Sequence, residues 1–145
     1  MLELKNQNFN HIKIHTQYSI CEGAIKIDNL KDFCKEKKIP CLGLSDTSNL
    51  CGALEFAENI SKVGTQPIIG TQIYFRFEDT TGLLPLIALN ENGYKKIIEL
   101  SSKSYLENDA LSDPHLDIKE LLIDTEGVSL LSGTIQGLFG KLFEK

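Results

Sequence analysis

Apolar positions along the chain follow two rhythms that take turns. From Phe9 to His15 the period is two, with Ile12 and Ile14 on one side and His11, Lys13 and His15 on the other, which predicts a strand. Ile27, Leu30 and Cys34 then fall at three- and four-residue spacing. Asp28 near the start and Lys35, Lys37 and Lys38 near the end suit a helix dipole. Pro40 stops this helix, and Cys41 to Ser45 reads as a short buried strand. Leu50, Leu54, Ala57 and Ile60 form a second helical stripe, with Gly64 as its cap. Pro67 opens a longer strand running through Ile73, Tyr74, Phe75 and Phe77, and a turn at Thr80–Gly82 leads to another over Leu83–Leu89. Asn90 caps a helix carrying Tyr94, Ile97, Ile98 and Ser101. Residues 106–117 read as a loop. A short helix at Ile118–Leu122, a strand at Val128–Leu131 and an apolar segment from Ile135 to Phe143 complete the pattern.

Five strands, nearly all joined by helices, predict an α/β fold with a mostly parallel sheet wrapped by helices. The composition agrees: 145 residues, 41% hydrophobic and 24% charged, exclude an intrinsically disordered chain and suit one domain. The closing residues, Phe139 to Lys145, stop on an amphipathic pattern with no further strand, which reads as an ending inside a fold. No apolar run approaches the roughly 20 residues that span a bilayer. The acidic opening Met1–Lys5 is no secretory signal, so the protein is expected in the cytoplasm, away from membranes. A net charge of −5 without a basic tract makes the chain poorly suited to gripping nucleic-acid phosphates by itself. Cys21, Cys34, Cys41 and Cys51 show no C-x-x-C spacing and read as reduced, small apolar core residues.

Candidate chemistry lies at strand ends, where βα folds place their sites. His11–Thr16, Leu44–Asn49 and Gly70–Gln72 each bring polar side chains to such a place. A His and an Asp converging there could hold a divalent metal and activate water for phosphoester hydrolysis. His15 and Asp46 are only two ligands, below the three or four of a protein metal site, and a hydrogen-bonded His–Asp pair would use the same residues. His115 reads as a solvent-exposed residue.

Several ordered blocks resemble a known family. Phe9–Ser19 followed by Gly23, Ser45–Gly52, Lys62–Gly70 with its P-I-I-G, Ala88–Tyr94 and Leu130–Gly133 together resemble the PHP (polymerase and histidinol phosphatase) domain. The form they resemble is the one that opens bacterial replicative polymerase alpha subunits. The resemblance covers residues 9 to 143 and implies that 1–145 is the N-terminal part of a PHP domain, a distorted βα barrel. The rest of that domain and the polymerase domains would then lie outside this sequence. A full α/β barrel needs on the order of 250 residues, so the barrel would stay open, with apolar edges exposed or covered by a second copy.

Against the family's metal-binding pattern, most ligand positions are changed. The first strand's H-x-H is Lys13 and His15, the Asp of the first block is Glu22, and the Asp-His of the second is Asp46 and Thr47. The acidic position after P-I-I-G is Gln72, and the His heading the fourth strand is Leu83. Only His15 and Asp46 are intact, with Glu22 a partial substitute. A lysine ammonium repels a dication and can neutralise carboxylates in its place, so Lys13 is expected to pair with Asp46 or Glu22 at a metal-free site. Were an ion held, the resemblance implies zinc or manganese at His15, Asp46 and Glu22, and magnesium is expected for the parent polymerase. It further implies a catalytically silent scaffold that joins the rest of the alpha subunit, the proofreading exonuclease and the replisome. DNA would be held by the parent chain. The alternative is a working phosphoesterase or 3′–5′ exonuclease.

Overall fold

The structure is a computed structural model and describes residues 9–109 and 111–144. Helix α1, Ile27–Lys37, buries Ile27, Leu30 and Cys34, and Lys38 ends it in the left-handed conformation. Strand β1, Cys41–Thr47, follows and is buried from Leu42 to Asp46. Helix α2, Ala53–Ser61, turns Ala53, Phe56 and Ile60 inward. Leu54, expected on the buried stripe, is instead 72% exposed. The helix starts at Ala53, and the large Phe56 ring claims the face toward α1 and β1.

Strands β2, Gln66–Phe77, and β3, Thr80–Ala88, form an antiparallel hairpin. Its link is Glu78–Asp79, because Phe77 pairs directly with Thr80; the turn expected at Thr80–Gly82 is part of the strand. Asn90 accepts from the Gly93 amide at 2.9 Å and caps α3, Glu91–Leu106, as expected. Strand β4, Leu116–Asp117, leads into α4, Ile118–Leu122, which Asp117 caps through the Lys119 amide. Strand β5, Val128–Leu130, and α5, Leu138–Phe143, complete the described chain.

The sheet order is β1-β2-β3-β5, and β4 lies beside the far end of β2. Thus five strands with flanking helices form a partial α/β barrel-type sheet, mixed rather than mostly parallel. β1 and β4 run parallel to β2, while the β2–β3 and β3–β5 pairings are antiparallel. The hairpin explains this: a two-residue link can only join antiparallel strands. Two apolar clusters form the core. One packs α1 and α2 on β1; the other packs α3, α4 and α5 on β2 and β3. Among the described residues no helix is long and apolar enough to cross a membrane.

Residues 9–15, expected to be a strand, make one parallel bridge, Ile14 to Leu44. The Gly43 amide donates to His11 O at 2.8 Å, and the Ile14 and Ser45 amides close the contact at 3.0 and 2.8 Å. The segment crosses tightly over a glycine: a Cβ at Gly43 would lie 2.4 Å from the Ile12 carbonyl oxygen. A Gly43→Ala substitution is therefore expected to lower unfolding free energy by about 1–3 kcal/mol, the range for overpacking a tight interior. Urea titration at unchanged slope measures it.

Candidate functional site at the strand ends

The parallel register sets Asp46 beside Thr71 and Thr47 beside Gln72. Successive strand side chains point to opposite faces, so Asp46 and Thr47 serve different surroundings. Asp46 is fully buried. Its Oδ1 accepts from the Thr16 amide at 2.6 Å and the Ser19 hydroxyl at 2.7 Å, and its Oδ2 accepts from the Thr16 hydroxyl at 2.7 Å. The Ser19 Oγ in turn accepts from the Thr47 amide at 3.1 Å. On the other face, Gln72 Nε2 donates to Thr47 Oγ1 at 2.7 Å, and that hydroxyl donates to Glu22 Oε2.

Beside this network lies a pocket of about 300 Å³ whose lining includes Lys13, His15, Glu22, Gln72 and Leu83, closed by Pro85 and the Gly133–Gly137 segment. The fold thus gathers five of the seven candidate positions around one space. Thr47 reaches it through Glu22 and Gln72, while Asp46 turns away toward the Thr16–Ser19 loop. The expected His15–Asp46 pair is not formed. His15 Nδ1 and Gln72 Oε1 are buried without a hydrogen-bond partner among the described residues.

Nor does Lys13 pair with Asp46 or Glu22: the ion pairs among the described residues lie on α1, α3 and α4. Asp46 instead takes all its donors from Thr16 and Ser19, and Glu22 accepts from the Thr47 hydroxyl. Among the described residues no three His, Cys, Asp or Glu side chains converge in a metal-binding group. The pocket itself offers one imidazole and one carboxylate beside an ammonium, and Leu83 contributes no donor atom. This donor set falls short of the three or four ligands of a protein metal site. All four cysteines are free, and only Cys34 is a buried core residue; Cys21 and Cys51 are exposed. His115 lies elsewhere, its Nδ1 2.8 Å from the Asp113 carbonyl oxygen.

Three partners escaped the sequence reading as individual residues. Thr16 and Ser19 sit in the first block, and their T-x-x-S spacing before a glycine was the available signal. The third is Tyr18, whose hydroxyl donates to Glu55 Oε2 at 2.6 Å and ties the same loop to α2. That hydrogen bond, with burial and the Glu55 charge adding to it, raises the phenol's pKa.

A helix-flanked mixed sheet of this kind is a fold shared with two solved structures. One is a protein assigned as a metal-dependent phosphoesterase from Bifidobacterium adolescentis, with TM-score 0.53, 18% identity, and coverage of 66% of this chain and 32% of that one. Another is an amidohydrolase from Chromobacterium violaceum with bound sulfate and no metal, with TM-score 0.54, 15% identity and the same coverages, 66% and 32%. The chain belongs to the PHP domain family, which matches residues 11–145. Its relatives include the DNA polymerase III alpha subunit of Caulobacter vibrioides, 37% identical over 152 residues and 99% of this chain. Those of Rickettsia felis and Vibrio cholerae are 34% and 32% identical over 92% and 98% of it. The chain spans only 13%, 11% and 12% of the length of these three relatives.

Replacing Asp46 by Ala strands three donors and is expected to lower unfolding free energy by about 3 kcal/mol, since buried donors without an acceptor cost about 1–3 kcal/mol each before relaxation. Chemical denaturation reads the loss. For Tyr18, the raised pKa means its contribution is present below the phenol's ordinary ionisation and fades as pH climbs through the folded value. Glu55→Gln should bring tyrosinate absorbance on at lower pH, with the other three tyrosines as an internal reference.

Proposed function

We propose that this chain is the PHP module of a bacterial replicative DNA polymerase III alpha subunit. In this reading the parent chain carries out templated DNA synthesis with magnesium in the cytoplasm. The present segment holds no metal, extends no primer, and acts as a structural and docking element. It supports the polymerase portion and receives the proofreading exonuclease within the replisome. The observation that carries the reading is similarity to alpha subunits along 92–99% of the chain. Supporting the metal-free part, three changed ligand positions, Glu22, Thr47 and Gln72, are hydrogen-bonded to one another. Lys13 lines the same pocket as His15 and Glu22, and its positive charge disfavours a dication there. The chain's net charge of −5 is compatible with a protein-docking role, since such a module need not attract DNA.

A second reading, a metal-dependent phosphoesterase or 3′–5′ exonuclease, draws on one observation. His15 Nδ1 is buried and has no hydrogen-bond partner among the described residues, and His15 lines a pocket with Glu22. Elemental analysis of protein purified without chelator separates the two. The proposal expects substoichiometric zinc and manganese, and phosphoester hydrolysis with added manganese no faster than in His15→Ala. One bound ion per chain, with hydrolysis that His15→Ala abolishes, selects the phosphoesterase. For docking, the full parent chain should co-elute with its exonuclease subunit, and deletion of this segment should abolish co-elution. Undiminished binding would remove the docking role.

A further inference from the structure

We infer that the side chains at three former ligand positions form a clasp that holds the Thr16–Gly23 loop against the ends of β1 and β2, the mechanical task an ion would otherwise perform. The inference rests on the metal-free reading above and adds a role for the residues that replaced the ligands. Gln72 enters from β2, Thr47 from β1 and Glu22 from the loop, so the chain Gln72 Nε2 to Thr47 Oγ1 to Glu22 Oε2 joins three separate segments. Its polarity is defined: an amide N–H can only donate and an ionised carboxylate can only accept, so the Thr47 hydroxyl must take the first and give to the second. A valine there, nearly the same shape, would break both links.

The loop needs such a fastening. It exposes Ile20 at 84%, holds Cys21 at φ 65°, and folds back so closely that a Cβ on Gly23 would lie 2.0 Å from the Thr16 carbonyl oxygen. Tyr18 packs on the apolar cluster of α1, α2 and β1, but Ile20, Cys21 and Glu22 are exposed, so polar links decide the order of the loop's second half. Asp46 binds the loop's first half through Thr16 and Ser19. Its second half, from Cys21 onward, has Glu22 as its side-chain link to the strands. The Glu22 and Gly23 amides, donated to Ser19 O at 3.0 and 2.9 Å, therefore report whether the clasp is shut.

Hydrogen exchange on the purified protein in chelating buffer tests this. Thr47→Val should speed exchange at the Glu22 and Gly23 amides about tenfold, the effect of losing roughly one hydrogen bond's net stabilisation. Glu22→Ala should do the same, the double variant should go little further than either single one, and Thr47→Ser, which keeps the hydroxyl, should stay near wild type. Ile97 and Leu100 in α3 serve as amides that no variant moves. Unchanged loop exchange in Thr47→Val, or fully additive effects in the double variant, overturns the clasp while leaving a metal-free elemental analysis untouched. Bound metal whose removal opens the loop in the wild-type protein would instead overturn both readings.

Discussion

A carboxylate taken fully out of water is the constraint around which this end of the molecule is arranged. Burying an ionised Asp costs several kcal/mol unless donors replace its hydration. Asp46 receives them from one amide and two hydroxyls that all belong to Thr16 and Ser19. That requirement brings the Thr16–Gly23 loop back over the end of β1. The same serine oxygen then accepts from the Thr47 amide, so the loop and the strand satisfy each other. Thr71 adds its hydroxyl within 2.6 Å of the Asp46 carbonyl oxygen and joins β2 to the same point.

The alternation of side chains along β1 divides the labour. Asp46 serves the loop; Thr47, one residue on, serves the pocket. The two neighbouring positions therefore serve separate networks, joined where the Thr47 amide donates to Ser19 Oγ. The residues on that face agree chemically as well as spatially: Gln72 supplies an amide donor to Thr47, and Thr47 passes the bond on to Glu22. Lys13, by contrast, lines the pocket and forms an ion pair with neither carboxylate among the described residues.

The remainder of the fold serves to hold β1 and β2 in register. β2 is long enough to pair with β1 over its first half, with β3 over its second and with β4 at its end. One apolar cluster presses on β1 through α1 and α2, while another presses on β2 and β3 through α3 and its neighbours. Each is made of side chains that are almost wholly buried. The register that sets Thr47 beside Gln72 is thus maintained by packing on both sides, remote from the polar network itself.

The helices were legible in the chain because their signals are local. Asn90 is followed by an apolar period that becomes α3, Lys-rich endings close α1, and Pro40 separates α1 from β1. The α/β class and the meeting of Lys13, His15, Glu22, Gln72 and Leu83 near one pocket also followed, since strand ends and ordered family blocks point there. Strand direction did not follow, because periodicity is identical in parallel and antiparallel pairs; the two-residue Glu78–Asp79 link decided it. Nor could spacing show that residues 9–15 make a single bridge, which turns on the closeness of Ile12 to Gly43. Sequence by itself determined which residue types stand at the site. Tertiary structure alone decided their partners, because a hydrogen bond depends on which donor arrives within reach: three donors reached Asp46 and one reached Glu22, where a lysine had been expected.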